Sequence, residues 1–148
     1  MFKEFNGLKK RHFCLETSKK FYKHGEVTTC VLGIFIPVTA ELHTPKITKY
    51  ILGKFPQLKW DYSSKAEYTW GFSATIVATA IPTIGDIYNE KLGETISYSK
   101  CQKKAYSITS RVLERLACFM AGESVRLEMG SAFMDMCRER EFNFLDSL

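Results

Sequence analysis

The chain has 148 residues, 45% of them hydrophobic, with 21 Lys or Arg against 16 Asp or Glu and a net charge of +5. That length suits one compact domain built on a single core and is short for two. Its 20 Phe, Tyr and Trp side chains exclude wholesale disorder, because each aromatic buries a large apolar area.

Charge is uneven along the chain. Residues 1–60 carry 11 Lys or Arg against 4 acids, whereas residues 61–148 carry 10 against 12. The excess is concentrated in a basic, aromatic-rich element or arm over residues 1–24, where Lys9, Lys10, Arg11, Lys19, Lys20 and Lys23 alternate with Phe2, Phe5, Phe13, Phe21 and Tyr22. Such a segment can neutralise phosphates while its aromatics stack on bases. It can equally be an amphipathic first element whose aromatics are core and whose lysines are solvated. No basic segment followed by an apolar run and a small-residue cleavage site opens the sequence, so a cytoplasmic location is expected.

From Val27 to Leu42 the β-branched residues predict a strand, with Pro37 near its end. Thr44-Pro45 then opens a helix over Lys46 to Phe55, which Pro56 ends. Gln57 to Tyr62 reads as a short strand followed by a turn at Ser63-Ser64. The clearest strand is KAEYTWGFSATIVATAIP: Trp70, Phe72, Ala74, Ile76, Ala78 and Ala80 share one face, and Thr69, Ser73, Thr75 and Thr79 the other. The uncharged run Tyr68 to Gly85 is too polar and too strand-like to cross a membrane.

Gly85-Asp86 predicts a helix start, with Asp86 as the cap and Glu90 and Glu94 near the positive end. Beyond it lie two apolar stripes, one through Tyr88, Leu92 and Ile96 and one from Tyr98 through Cys101, Ala105, Ile108, Val112 and Leu116 to Phe119. They differ by roughly 160° around a helix. Either the helix breaks near Ser97 to Ser99, or it is covered on opposite sides at its two ends. Gly122 predicts a stop, and Val125, Met129, Ala132, Phe133, Met136 and Cys137 a last helix, followed by the aromatic tail EFNFLDSL.

A strand running into GDIYNEKLGETISYSKCQKKA, about residues 70–106, resembles a motif of small proteins from bacteriophages and mobile elements. That resemblance implies a fold similar to the double-stranded-RNA-binding arrangement of strands packed on a helix. In RNA-binding members a lysine cluster opens the helix directly after the last strand. Lys100, Lys103 and Lys104 come more than a dozen residues later, so the resemblance carries the fold and not the activity.

Chemistry is sparse. His12, His24 and His43 have no second ligand at metal spacing, and no phosphate-binding glycine loop or GxSxG motif occurs. The five cysteines, odd in number and widely spaced, predict neither zinc ligation nor a disulfide framework. Cys101, Cys118 and Cys137 are expected to be reduced, buried thiols. Cys14, beside Arg11 and His12, has basic neighbours but no positioned base. Asp135 and Glu139 are expected to pair with Arg138 and Arg140 on a helix surface.

The whole reads as an α+β fold, a small, mainly antiparallel sheet packed against C-terminal helices in a single domain over residues 1–148. The expected role is that of a non-enzymatic phage or mobile-element accessory protein that acts by binding, without cofactor, metal or membrane. Nucleic acid is the first candidate ligand, through the N-terminal cations and a helical stripe of Lys100, Lys103, Lys104 and Arg111. The alternative is a protein-binding or homo-oligomeric assembly role, as a virion component or an inhibitor of a host factor.

Overall fold

A computed structural model of the chain describes residues 13–64, 69–82 and 89–147. It is α+β, a four-stranded antiparallel sheet packed against a long C-terminal helix. The elements are β1 (Leu15–His24), β2 (Val27–Pro37), a short 3-10 turn (Ala40–Leu42), α1 (Pro45–Lys54), β3 (Lys59–Ser63), β4 (Thr69–Ala80) and α2 (Glu90–Asp146). The strand order is β1-β2-β4-β3. Half of the basic N-terminal stretch is thus an edge strand rather than an arm. Its first twelve residues lie outside the described set.

The β1–β2 hairpin closes through Gly25-Glu26, where Gly25 takes φ 62°, a left-handed value that favours glycine. Register then sorts the side chains. Cys30, Leu32, Ile34 and Ile36 of β2 sit opposite Ala78, Ile76, Ala74 and Phe72 of β4, and all eight are buried. This is the core layer the β4 alternation predicts. The one departure is Trp70, which shares that parity but is exposed. At Gly71 the two central strands approach so closely that a Cβ would collide with the Ile36 carbonyl and the Phe35 ring.

β2 ends at Pro37 rather than at Leu42, since proline has no amide to continue the ladder. The next amide, Val38, still donates to the Trp70 carbonyl at 3.1 Å. In α1, Thr44 Oγ1 accepts from the Ile47 amide at 3.3 Å and Pro45 occupies the first turn, while Ile47 and Ile51 face the core.

Helix α2 departs most from expectation. It starts at Glu90 with Asn89 as its cap, Oδ1 accepting from the Leu92 amide at 3.1 Å; Asp86, the predicted cap, and Tyr88 lie outside the described residues. The helix neither breaks near Ser97 to Ser99 nor stops at Gly122, and continues for 57 residues to Asp146. A glycine with ordinary helical backbone costs only about 1 kcal/mol, which does not stop a propagating helix. The expected set of C-terminal helices is therefore one helix.

The face of α2 that meets the sheet is not its bulkiest. Gly93, Ser97, Cys101, Ala105 and Thr109 recur every four residues, and the last four are buried, whereas Leu92 and Ile96 are exposed. Small side chains let the helix lie close. A Cβ on Gly93 would sit 2.6 Å from Thr28 Oγ1. The Cys101 thiol donates to the Cys30 carbonyl at 3.3 Å.

The chain divides into two units, Met1–Val112 and Leu113–Leu148. The first holds the sheet, α1 and the start of α2. The second is the rest of α2. Buried apolar side chains run from Cys14 to Leu116, and none lies beyond among the described residues.

Candidate functional site

Within the first unit, α2 crosses the sheet with polar anchors on both flanks. On the β1 flank, Lys23 pairs with Glu90 and, at 3.1 Å, with Glu94. The hydrogen bond that Lys23 donates to Glu90 raises its pKa above the ordinary value, against some desolvation and with Glu94 adding to the rise. Lys19 lies over the Tyr98 ring at 4.4 Å, and the Tyr98 hydroxyl donates to Glu16 Oε2 at 3.1 Å. Burial, reinforced by that carboxylate, pushes the Tyr98 pKa up to about 12. Two of the N-terminal lysines the sequence offers to phosphate, Lys19 and Lys23, are thus engaged by the helix. Lys20, exposed, is opposite Val31 on the other face of the sheet.

The other flank is the open edge of β4. Strand β3 pairs with β4 only from Thr69 to Ser73, through Gly71. The same alternation turns the backbone groups of Thr75, Val77 and Thr79 to the unpaired side. Lys104 Nζ donates to the Val77 carbonyl at 2.8 Å and Lys100 Nζ to the Thr79 carbonyl at 3.0 Å. Lysines placed there block strand addition. With Lys103, Ala78 and Ser107 they line a shallow groove of about 510 Å³. Arg111, the fourth member of the predicted stripe, lies apart from the groove lining with its guanidinium 5.5 Å from the Phe55 ring. Lys9, Lys10 and Arg11 lie outside the described residues.

An aromatic cluster occupies the far end of β4. Trp60 stacks on Trp70 at 5.9 Å and meets Phe72 and His43 edge-on, and Tyr62 tilts against Trp70. His43 Nε2 is 2.6 Å from the Val38 carbonyl, which fixes the ring. His43, Thr44, Pro45, Thr48, Trp60 and Trp70 border a second open groove, of about 400 Å³. The sequence reading assigned Trp70 to the core and gave Trp60 no role. Both lie within the β3–β4 ladder, Trp60 half-buried and Trp70 exposed.

The second unit is different in kind. Leu113, Met120, Leu127 and Met134 recur every seven residues, with Ala117, Ser124 and Ser131 between them, a four-three spacing held over three heptads. A second stripe pairs Cys118, Val125 and Ala132 with Gly122, Met129 and Met136, again at seven-residue intervals. The two stripes lie roughly 150° apart around the helix. Met120, Val125, Leu127, Met129, Phe133, Met134 and Met136 are all between 49% and 68% exposed. No helix among the described residues is long and apolar enough to cross a membrane. Two intrahelical ion pairs, Arg126–Glu123 at 3.1 Å and Arg138–Asp135 at 3.9 Å, decorate the surface; exposed pairs of this kind stabilise little.

No family model, curated protein or solved structure matches the chain.

Reactive chemistry is scarce among the described residues. None of the five cysteines forms a disulfide; Cys14, Cys30 and Cys101 are buried and Cys137 half-buried. Cys118 is exposed, against the expectation that it would be buried, because no core continues along that part of α2. Desolvation, with Cys101 adding to it, pushes the Cys30 pKa up to about 12, leaving it protonated and inert. No group of three or more His, Cys, Asp or Glu that could hold a metal occurs among the described residues. What the two units offer is surface: a lysine-lined groove, an aromatic groove, and an uncovered helix.

Proposed function

We propose that the protein is a non-enzymatic accessory protein that works by assembly, joining copies of itself through the distal part of α2. The observation that carries this reading is the pair of heptad-spaced stripes, whose large side chains from Met120 onward are about half to two-thirds exposed. A helix apolar on two sides is one that neighbours cover. Each such side chain gains on the order of 1–2 kcal/mol when its exposed part is buried. Two copies sharing one stripe therefore gain on the order of 10 kcal/mol, comparable to the estimated cost of association of about 4–15 kcal/mol. The second stripe and the exposed Phe142, Phe144 and Leu145 add to that total. The resemblance of residues 70–106 to phage and mobile-element proteins supports such an element as the setting of this assembly role.

Sedimentation velocity over a dilution series tests the reading. The parent is expected to be an oligomer. Leu127→Lys with Met134→Lys is expected to sediment as a monomer with the same tryptophan fluorescence, since Trp60 and Trp70 both lie in the sheet. A parent that stays monomeric at every concentration overturns the proposal.

A second reading, binding of a polyanion such as nucleic acid, is supported by the groove that Lys100, Lys103 and Lys104 line. It ranks below assembly because Lys19, Lys23, Lys100, Lys104 and Arg111 all have partners within the protein. Replacing the three groove lysines with Gln is expected to flatten the slope of log affinity against log salt by up to about three. An unchanged slope removes the groove as a phosphate site.

A further inference from the structure

We infer that the distal helices of two copies meet in antiparallel orientation along the stripe of Leu113, Met120, Leu127 and Met134, about a twofold axis between Val125 and Arg126. The inference rests on the assembly reading above and says which surface is used and how. In heptad terms the large residues hold one core position and Ala117, Ser124, Ser131 and Arg138 the other.

Antiparallel pairing sets each large residue against a small one. Met134 meets Ala117 of the second copy, Met120 meets Ser131 and Leu127 meets Ser124, and each layer occurs twice by symmetry. Alternating large and small partners fill the space between two helices evenly, as close packing requires. The ends fit as well. Arg138 falls opposite Leu113 of the second copy, where its stem covers the leucine and its guanidinium reaches the neighbouring Glu114. Glu114 also comes near Asp135 of the second copy, but Arg138, already 3.9 Å from Asp135 in its own helix, lies between them. The overlap from Leu113 to Arg138 runs about 39 Å.

Parallel pairing sets each residue against itself. The layers of Ala117, Ser124 and Ser131 would then be underfilled and those of Met120, Leu127 and Met134 crowded. Arg138 would face Arg138, and Glu123 would lie beside Glu128 of the other copy, placing like charges at the seam.

Disulfide trapping separates the two. In a background of Cys118→Ser and Cys137→Ser, shown by sedimentation to keep the parent's oligomeric state, Ala117→Cys and Met134→Cys are made as separate chains. In the antiparallel seam, residues 117 of the two copies are about 25 Å apart along the axis, as are residues 134. Neither variant alone is expected to crosslink on mild oxidation. Co-expressed, they are expected to give a crosslinked heterodimer as the dominant band on a non-reducing gel. Met120→Cys with Ser131→Cys repeats the test should either first variant fail to associate. Crosslinking of a single variant with itself overturns the inference in favour of a parallel seam. Association without a crosslink in either mixture overturns it in favour of another surface. A monomeric parent overturns both the seam and the assembly reading.

Discussion

One helix runs through both units, and its two parts are built by opposite rules. From Glu90 to Val112 the buried face of α2 is made of small or modest side chains that let the helix lie on the sheet, and its polar flanks are tied to β1 and to the edge of β4. Beyond Leu116, which is still buried, large side chains recur in heptad spacing and from Met120 onward are exposed. A helix whose cover belongs to its own fold selects residues for the particular surface it meets. A helix that waits for its cover repeats one pattern along its length. The difference explains why α2 as a whole looks poorly amphipathic although each part has a well-defined apolar face.

The sharpest test of that contrast is the same substitution in both parts. Val112 is fully buried and Val125 exposed. Val112→Asp is expected to lose more than about 3 kcal/mol, enough to unfold a marginal domain, because an unpaired carboxylate is forced into the core. Val125→Asp is expected to change the sheet's unfolding free energy by less than about 0.5 kcal/mol when measured on monomer, and, lying on the stripe away from the proposed seam, to leave the oligomeric state as it is. Urea titrations followed by tryptophan fluorescence, beside sedimentation, read both. Equal effects at the two sites would mean the distal helix belongs to the same core.

Glycine gives a second contrast, smaller and opposite in sign. Gly93→Ala is expected to lose about 1–3 kcal/mol, since the new methyl group collides with Thr28. Gly122→Ala meets nothing within 4 Å and is expected to gain up to about 1 kcal/mol of helix stability, visible in the helical signal on heating. A loss at Gly122 would show that this glycine is needed for close approach of a neighbouring chain.

Strands β2, β3 and β4 and α1 were legible to within about five residues because local patterns decide them: alternation in β4, Pro37 at the end of β2, Thr44-Pro45 at the start of α1; β1, hidden in a run of lysines, read only as a basic element or arm. The bounds of α2 were not. The two divergent stripes left open a break or cover on opposite sides, whereas the helix is continuous and leaves Leu92 and Ile96 exposed. The second predicted stripe does supply Cys101, Ala105 and Val112 to the buried face, but Gly93, Ser97 and Thr109 are invisible to a hydropathy count because closeness of approach, not hydrophobicity, selects them. Lys100 and Lys104 read as a phosphate-facing stripe, since nothing local reveals that β3 is short and leaves carbonyls for them to cap. Lys19 and Lys23 were read from charge alone, and their partners are some 70 residues away in the sequence. The distal heptads were in plain view, but Gly122, read as a stop, divided them.

The smallest expected effect concerns the partner of Gly93. Thr28 is fully buried, and its hydroxyl is a buried oxygen without a hydrogen-bond partner. A hydroxyl desolvated without compensation is a net cost to the fold, so removing it while keeping the side chain's shape loses nothing. Thr28→Val is therefore expected to raise the unfolding free energy by up to about 1 kcal/mol, with the gain appearing as a higher urea midpoint at an unchanged slope. The methyl that replaces the hydroxyl still stands where a Gly93 side chain would go, so Thr28→Val is not expected to rescue Gly93→Ala. Thr28→Ala, which opens that space, is expected to restore part of the loss in a double-mutant cycle. A fall of 1 kcal/mol or more for Thr28→Val, on the order of one hydrogen bond, would show that the hydroxyl has a partner after all, and that the close helix–sheet contact is held by polarity as well as by the absence of a side chain at Gly93.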